Sequence, residues 1–257
     1  MNKKVRIDKL LFDRGLAPSR ERAQAYVMSG NVLADERKVE KPGTKVAENV
    51  DIRIKGVVSP YVSRGGLKLE RALDAFGLSV DRWVAMDIGA STGGFTDCLL
   101  QRGVSRVFAV DVGKGQLAWK LATDRRVQNL ERTNFRHMEF SKIGTCVDLI
   151  TIDVSFISLT KILGRCRMFL APGGFVIALV KPQFEAGKGR VEKRGVISRE
   201  SVRTEAVESV CRFGESVGYT VENIEASPIP GKKSGNREYF LLLRRSDPSP
   251  YGTAYEK

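Results

Sequence analysis

The chain has 257 residues, 42% of them hydrophobic, which is enough for one or two globular domains with a sizeable core. Its 43 lysines and arginines outnumber its 30 aspartates and glutamates, and the net charge of +13 favours binding to polyanions such as nucleic acids or anionic membranes. No uncharged apolar run approaches the roughly 20 residues needed to cross a bilayer, so we expect no membrane span.

The cysteines and the single histidine narrow the chemistry. The four cysteines are far apart and form no C-x-x-C pair, so neither a zinc site nor a disulfide framework is indicated and we expect no bound metal. The segment from Met1 to Leu10 is charged, unlike the apolar core of a secretion signal, and these features together predict a cytoplasmic protein. His137 is the only histidine, which disfavours Ser-His and Cys-His relays and leaves Lys, Asp or Glu as any general base.

The first segment of the chain predicts a pair of helices followed by short strands. Between Arg6 and Met28 apolar residues recur at helical spacing, interrupted by a turn before Ser19, which is placed as an N-cap. After Gly30 the pattern changes to short apolar runs, broken by a Lys-Pro-Gly turn that ends at Gly43. One face of the helix pair is basic, which is consistent either with RNA binding or with an ordinary solvated surface.

Three motifs in this segment carry a family resemblance. They are RIDKLLFDRGLAPSRERAQ, MSGNV and KPGTKV, and together they resemble the S4 RNA-binding module over residues 5–55. The resemblance implies that the module docks on RNA, and its candidate contacts are four arginines: Arg6, Arg14, Arg20 and Arg22. We assign residues 1–57 to this small α+β domain, 58–63 to a linker, 64–246 to a second domain and 247–257 to a flexible C-terminal tail.

The second domain is predicted to have a doubly wound α/β fold. A helix is expected from Tyr61 to about Phe76, and beyond it strand and helix patterns alternate. The expected strands are 84–88, 106–110, 149–154, 175–180 and 239–243, and the expected helices are 95–101, 117–121, 162–170 and 202–217. Repeated βα units form a mostly parallel sheet with helices on both faces, and such a sheet binds ligands at the carboxyl ends of its strands.

A glycine-rich loop follows the first of these strands. It reads DIGASTGGFTD from Asp87 to Asp97, and its glycine spacing matches neither a P-loop nor the G-x-G-x-x-G dinucleotide fingerprint. Glycines let the backbone approach a ligand closely and turn sharply into a helix. Asp111 ends the next strand, where a carboxylate can accept hydrogen bonds from both ribose hydroxyls of an adenosine.

This order of strand, loop, helix and strand resembles the S-adenosylmethionine (SAM) site of the Rossmann-like class I methyltransferases. The resemblance implies SAM as the cofactor, and the candidate cofactor-binding residues are Asp87, Gly89, Ser91, Gly93, Gly94, Phe95 and Asp111. Carboxylates beside the loop suit the cationic sulfonium and ammonium groups of SAM, with Asp97 as a further candidate. The loop could alternatively be a structural turn that binds no ligand. The alternative for Asp97 is an acidic residue in the first turn of a helix, where the helix dipole favours a negative charge.

Four charged residues stand at strand ends and helix starts, where an active site is expected. A ribose hydroxyl is a weak acid, so methyl transfer to it benefits from ammonium groups that stabilise the developing alkoxide and from carboxylates that hold them. The candidates are Lys68, Asp153, Lys181 and Glu238. In order and motif they resemble the Lys-Asp-Lys-Glu tetrad of the FtsJ-like ribose 2'-O-methyltransferases. Base-amino methyltransferases usually carry an Asn/Asp-Pro-Pro-Tyr/Phe motif after the fourth strand, and the DVSF found here favours transfer to oxygen.

Two further features suit an RNA substrate. The loop 183–198 is glycine-rich and basic, and Lys188 and Arg190 are its candidate phosphate contacts, although a solvated loop would have the same composition. A cytidine flipped out of its helix needs a stacking partner. Phe156 or Phe184 could serve, unless both are core aromatics.

The whole chain resembles the TlyA family, because an S4 module precedes an FtsJ-like domain with the motifs YVSRGGLKL, VKPQFE and NREYF. The resemblance implies SAM-dependent methylation of cytidine 2'-hydroxyls in 16S or 23S ribosomal RNA within ribosomal subunits. Two other functions stay open. A haemolysin-like membrane-active protein would need an amphipathic membrane segment, which the sequence does not indicate, and the intact charged tetrad disfavours a non-catalytic ribosome-assembly factor. The sequence leaves the oligomeric state and the modified nucleotide undetermined.

Overall fold

The structure is a computed structural model that describes residues 4–17, 19–55, 60–187, 189–192, 195–229 and 236–246. The chain divides into two compact units, Met1–Ser59 and Pro60–Lys257. The predicted linker at 58–63 spans this division, and the predicted tail at 247–257 lies outside the described residues. Within the described ranges, each hydrophobic core cluster draws its members from one unit only, so each unit has a core of its own.

The first unit consists of short helices and strands. Its described elements are β1 (Lys4–Arg6), α1 (Ile7–Asp13), α2 (Arg20–Met28), β2 (Val32–Ala34), β3 (Arg37–Lys38), β4 (Lys45–Ala47) and β5 (Ile52–Ile54). The Ser19 side chain accepts a hydrogen bond from the backbone N–H of Arg22, so it caps α2 as predicted. Strand β1 pairs with β4, and β3, β2 and β5 form a second antiparallel sheet in that order. These elements confirm the predicted small α+β domain.

The second unit alternates helices and strands. Its described elements are α3 (Arg64–Ala75), β6 (Val84–Ile88), α4 (Gly94–Gln101), β7 (Arg106–Val110), α5 (Trp119–Ala122), β8 (Val127–Leu130), β9 (Val147–Ile152), α6 (Thr160–Cys166), β10 (Leu170–Val180), α7 (Pro182–Glu185), α8 (Glu200–Ser216), β11 (Tyr219–Ala226) and β12 (Tyr239–Arg245). The predicted helix from Tyr61 therefore begins at Arg64, because Ser63 caps it by accepting a hydrogen bond from the backbone N–H of Gly65.

One sheet organises this unit, with the strand order β11-β12-β10-β9-β6-β7-β8. Strands β10, β9, β6, β7 and β8 are parallel, whereas β12 runs antiparallel to β10 and β11 antiparallel to β12. Leu69 of α3 and Leu99 of α4 belong to one core cluster, and Ile162 of α6 and Val207 of α8 belong to another. Helices therefore cover both faces of the sheet, which confirms the predicted doubly wound fold.

Strands β8 and β11 are absent from the sequence prediction, and both lie at the edges of the sheet. In β11 only Tyr219 is buried, and β8 has no fully buried residue. An edge strand pairs on one side only, so it forms without the continuous apolar run that marks a central parallel strand.

The loops that carry the candidate site residues leave the sheet at one end. Gly89 follows β6, Asp111 follows β7, Asp153 follows β9 and Lys181 follows β10. This is the end where a parallel α/β sheet binds its ligands. No helix in the described ranges combines the length and apolar character needed to cross a membrane.

Candidate active site

Asp87 anchors the glycine loop within the core. It lies in β6 and is only 1% exposed. Its Oδ2 accepts hydrogen bonds from the backbone N–H (3.0 Å) and the Oγ1 (2.7 Å) of Thr96, and its Oδ1 accepts one from Thr151 Oγ1 (3.1 Å). Burial raises the pKa of Asp87 to about 6, and the Thr96 and Thr151 hydrogen bonds oppose that shift. Asp87 thus ties the start of α4 to two strands and shapes the loop.

Two glycines of the loop are required by close contacts. Gly89 has a φ of 84°, and a Cβ there would lie 2.6 Å from the carbonyl oxygen of Asp153. Gly94 packs against the start of α3, where a Cβ would lie 2.1 Å from the Oγ of Ser63. Larger residues at either position would push apart the elements that carry the site.

Asp111 is fixed at the end of β7 by two backbone donors. Its Oδ2 accepts a hydrogen bond from the N–H of Ser91 (2.8 Å), and its Oδ1 accepts one from the N–H of Gly113 (2.7 Å). Ser91 has a φ of 49°, in the left-handed region that non-glycine residues seldom adopt, so the first bond holds a strained turn of the glycine loop. Each carboxylate oxygen keeps acceptor capacity for a ligand hydroxyl.

A cavity of ≈ 470 Å³ lies at this end of the sheet. Gly89, Ser91 and Asp111 of the predicted cofactor set line it, together with Asp153 of the predicted catalytic set. A volume of this size is in the range of small-molecule and cofactor sites.

The other predicted cofactor residues support the loop from outside that lining. Asp87 and Gly94 make the contacts described above, and Gly93 is the left-handed N-cap of α4 with a φ of 91°. Phe95 is buried against Phe240, with ring centroids 6.2 Å apart. Asp97 is also buried and forms an ion pair with Lys120 at 2.8 Å. A cofactor contact by any of these residues stays a prediction.

Part of the cavity wall was missed by sequence analysis. Val112, Gln116 and the segment 133–136 line it. The segment follows β8, and because that strand was not predicted, its loop was not recognised as a strand-end loop. One local signal was available, since Asn134 caps the next turn by accepting a hydrogen bond from the backbone N–H of Arg136.

The four predicted catalytic residues form two ion pairs. Lys68 Nζ donates to Glu238 Oε2 at 2.5 Å, and Lys181 Nζ lies 2.6 Å from Asp153 Oδ1. Asp153 is half-buried and the other three residues are buried. Burying a pair of charges costs desolvation free energy that burying apolar residues does not. Two such pairs at one end of the sheet are therefore typical of a functional site.

Strand register explains why these pairs lie at one end of the sheet. The last pair in register between β10 and β12 is Val180 with Tyr239, so the residues just beyond it, Lys181 and Glu238, are neighbours. Strand β9 adjoins β10 on its other side and ends directly before Asp153. The two carboxylates therefore flank the lysine that follows β10.

Lys181 has a further partner that sequence analysis missed. Its Nζ donates a hydrogen bond to Ser155 Oγ at 3.0 Å, whereas its contact with Asp153 is an ion pair without hydrogen-bond alignment. Ser155 also lines the cavity. An ammonium group has three N–H donors, so Asp153 and Ser155 can orient it while a third N–H is presented to a substrate oxygen. This arrangement suits stabilisation of a negative oxygen.

Phe156 is an exposed aromatic at the rim of the cavity. Its side chain is 85% exposed, and its ring packs at a tilt on Phe184 with centroids 5.2 Å apart. Its φ of 66° is unfavourable for a bulky residue. Of the two roles that the sequence left open, the structure excludes a core position for Phe156. A strained and solvent-facing aromatic offers a face for stacking.

Two of the predicted RNA contacts in the first unit gather on one buried carboxylate. Asp8 accepts hydrogen bonds from Arg6 Nε (3.0 Å) and Arg6 Nη2 (2.8 Å), and Arg20 Nη2 lies 3.7 Å from it. Hydrogen bonding from Arg6 holds the pKa of Asp8 well below its usual range. Both arginine side chains remain 49% exposed, so Asp8 fixes their charges at the surface.

The remaining predicted RNA contacts are placed less uniformly. Arg14 donates to the backbone carbonyls of Glu48 (2.5 Å) and Val50 (2.8 Å), which ties the end of α1 to the chain before β5. The guanidinium of Arg22 lies 5.5 Å from the ring centre of Tyr26. Arg190 forms an ion pair with Glu205 of α8, and Lys188 lies outside the described residues. RNA contacts by all six predicted basic residues, Arg6 and Arg20 included, stay predictions.

Protein-family models match both units of the chain. The S4 domain model matches residues 5–52, and the FtsJ-like methyltransferase model matches residues 61–245. The second match includes the glycine loop, Asp111 and both ion pairs.

Curated relatives are similar over nearly the whole chain. A Mycobacterium tuberculosis protein named 16S/23S rRNA (cytidine-2'-O)-methyltransferase TlyA is 43% identical over 245 residues, which cover 95% of this chain and 91% of the relative. Bacillus subtilis YqxC, assigned as an rRNA methyltransferase, is 47% identical over 245 residues (94% and 86%). Hemolysin A of Brachyspira hyodysenteriae is 39% identical over 237 residues (92% and 98%). The names of these relatives differ, so the chemistry of the site must decide between them.

Solved structures show the same architecture. A Streptococcus thermophilus protein assigned as a hemolysin superposes with a TM-score of 0.75 at 43% identity, covering 96% of this chain and 90% of that protein. A Lactococcus lactis protein with the same assignment gives 0.71 at 42% identity (74% and 91%). A Listeria monocytogenes protein assigned as a SAM-dependent methyltransferase gives 0.51 at 11% identity (72% and 99%), which supports the fold alone.

Proposed function

Because the chain belongs to the FtsJ-like methyltransferases and carries an S4 domain, we propose that it methylates the 2'-hydroxyl of a cytidine in ribosomal RNA, with SAM as the methyl donor. The observation that carries the proposal is the pairing of Lys181 with Asp153 and of Lys68 with Glu238 at the strand ends beside the cavity. Two buried ammonium groups at one site suit a reaction in which an oxygen becomes negative. We infer that the protein acts on ribosomal subunits in the cytoplasm.

The residues of the cavity fit SAM. Gly89 lines the cavity, and the carboxylate of Asp111, held by two backbone N–H groups, can accept hydrogen bonds from ribose hydroxyls. The cavity extends from these residues to Asp153 and Ser155, which belong to the ion-pair region. A ligand that filled it would therefore contact both parts of the site.

The cofactor contact of Asp111 can be tested directly. Asp111→Ala should weaken SAM binding about 10- to 100-fold, because it removes a charged acceptor and releases the N–H groups of Ser91 and Gly113. Isothermal titration calorimetry on the two proteins measures this. Asp81→Ala, which removes an exposed carboxylate of the same unit, is the matched control and should bind SAM like wild type. Equal SAM affinity of Asp111→Ala and wild type would exclude Asp111 from the cofactor site.

The reaction proposed for this site is an in-line displacement. SAM would supply the methyl group: the ribose 2'-oxygen would bond to the methyl carbon as the carbon–sulfur bond breaks, with its electron pair kept by the departing S-adenosylhomocysteine. The hydroxyl proton would pass to water. Lys181 stabilises the negative charge that develops on the oxygen, and Asp153 and Ser155 hold its ammonium group in place. The pair of Lys68 with Glu238 adds a second cation held by its own carboxylate.

The RNA would be held by two parts of the chain. The first unit presents Arg6 and Arg20 as half-exposed charges fixed by Asp8, which suits contacts to phosphates. At the cavity, the exposed ring of Phe156 is placed to stack on a base taken out of its helix.

One experiment tests the proposed function. Ribosomal subunits from a strain that lacks the gene are incubated with the protein and SAM labelled in its methyl group, and the modified nucleotide is mapped by mass spectrometry of RNA fragments. We expect label in a cytidine of the small or large subunit, on the ribose oxygen. A methyl group on a base atom would contradict transfer to the 2'-hydroxyl, and absence of label from both subunits would contradict the proposed substrate.

A further inference from the structure

Glu185 links the two loops that carry the reacting groups. It is the last residue of α7, directly after the segment of Lys181 and Phe184. Its Oε2 accepts a hydrogen bond from Ser158 Oγ at 2.6 Å, and its Oε1 accepts one from the backbone N–H of Leu159 at 2.9 Å. Ser158 and Leu159 lie in the loop after β9, just before α6. One carboxylate therefore fastens the loop after β10 to the loop after β9.

Two other contacts join the same loops. The ring of Phe156 packs on that of Phe184, and Lys181 Nζ donates to Ser155 Oγ. Both contacts are adjustable, since apolar packing between rings is non-directional and the lysine side chain is long and flexible. The contact of Glu185 is different, because two oxygens of one carboxylate engage two consecutive residues and so fix both distance and orientation.

A carboxylate is a costly way to make this link. Burial raises the pKa of Glu185, and the hydrogen bonds from Ser158 and Leu159 oppose the shift. Among the described residues, no lysine or arginine forms an ion pair with it. Burying a carboxylate without a cation beside it costs free energy, which its hydrogen bonds only partly offset. This cost suggests that Glu185 has a functional role as well as a packing role.

We propose that Glu185 is a positioning residue, which holds the loops after β9 and β10 so that Lys181 and Phe156 act on the same nucleotide. The inference rests on the proposed function, because it assigns Glu185 a part in that methyl transfer. Glu185 neither lines the cavity nor belongs to an ion pair among the described residues, so it acts through the loop that carries Asp153, Ser155 and Phe156. Without Glu185, strands β9 and β10 would still form, but the loops after them would no longer be held in a fixed position relative to each other.

The test compares Glu185→Ala, Glu185→Gln and Ser158→Ala with wild type in single-turnover methylation of ribosomal subunits at saturating SAM. We expect Glu185→Ala to lower the rate constant about 10- to 100-fold, the effect of misplacing a reacting group by about 1 Å. SAM affinity should fall by a clearly smaller factor than the rate constant, because Asp111 and the glycine loop, at the other end of the cavity, lie outside the two loops that Glu185 joins. Glu185→Gln should recover most of the rate, since its amide oxygen accepts from Leu159 and its amide nitrogen donates to Ser158.

The remaining variants make the test decisive. Ser158→Ala removes one of the two hydrogen bonds and should lower the rate by a smaller factor, and its loss should not multiply with that of Glu185→Ala in the double variant. Glu215→Ala, an exposed glutamate of α8, should behave as wild type. A wild-type rate for Glu185→Ala, a failure of Glu185→Gln to recover it, or equal losses in rate and SAM affinity would each overturn the inference. A wild-type protein that transfers no methyl group would instead overturn the proposed function.

Discussion

Lys181→Ala should lower the single-turnover rate of methyl transfer by roughly two to four orders of magnitude, the range found for acid-base and oxyanion-stabilising groups. The residue is buried at the end of β10, with its Nζ 2.6 Å from Asp153 Oδ1 and 3.0 Å from Ser155 Oγ. In the proposed mechanism, its removal takes away the cation that stabilises the negative oxygen, and it also leaves Asp153 without its ion-pair partner. SAM binding should persist, because Lys181 is not part of the cavity lining.

The rate is measured with labelled SAM and ribosomal subunits under single-turnover conditions, with calorimetry for SAM and circular dichroism for folding. Lys142→Ala, which removes an exposed lysine of the same unit, is the control and should retain wild-type rate. Of two roles for Lys181, general base and stabilising ammonium group, the ion pair with Asp153 favours the second. Near wild-type turnover of Lys181→Ala would remove the residue from the mechanism.

Removing the first unit should abolish methylation of ribosomal RNA, a loss of at least about 1,000-fold, while SAM binding is retained. The core of this unit includes Ile7, Leu11 and Val27, and the cores of the second unit contain no residue before Tyr61 within the described ranges. A chain of residues 60–257 therefore keeps its own core and the residues that line the cavity. It loses the arginines that the structure fixes near Asp8, and phosphate contacts supply much of the affinity for RNA.

Filter binding and methylation assays on the full chain and on residues 60–257 measure the effect. RNA affinity of the full chain should fall steeply as salt is raised, because phosphate contacts release counterions, and the truncated chain should show a shallower dependence. Calorimetry with SAM is the control for folding of the shorter chain. If residues 60–257 methylate subunits as fast as the full chain, the first unit is not the RNA-docking module.

Much of the architecture could be predicted from local patterns. The helix pair with its Ser19 cap, the doubly wound sheet and the loop after β6 follow from periodicity, capping and glycine placement, and the structure confirms them. The resemblance to an S4 module and an FtsJ-like domain is confirmed by the family models. These features can be predicted from the sequence because each depends on residues that are close together in it.

The sequence predicted only in part which charged residues from distant segments pair with each other. The order of motifs indicated that Lys68, Asp153, Lys181 and Glu238 belong to one site, but not that Lys68 pairs with Glu238 and Lys181 with Asp153. Strand register decides that arrangement, because β12 returns antiparallel beside β10 and brings Glu238 next to the end of that strand. Local sequence patterns do not indicate which strand β12 will pair with.

Local patterns and motifs were sufficient to predict the two folds, the glycine loop, the four charged positions and the class of chemistry they suit. The three-dimensional arrangement was needed to show that Asp87 is buried and accepts three hydrogen bonds, that Phe156 is exposed, and that Ser155 and Glu185 join the strand-end loops. Burial and hydrogen-bond partners depend on which side chains meet across the sheet. Periodicity and motif spacing fix the local backbone, whereas the environment of each polar group is set by residues far away in the chain.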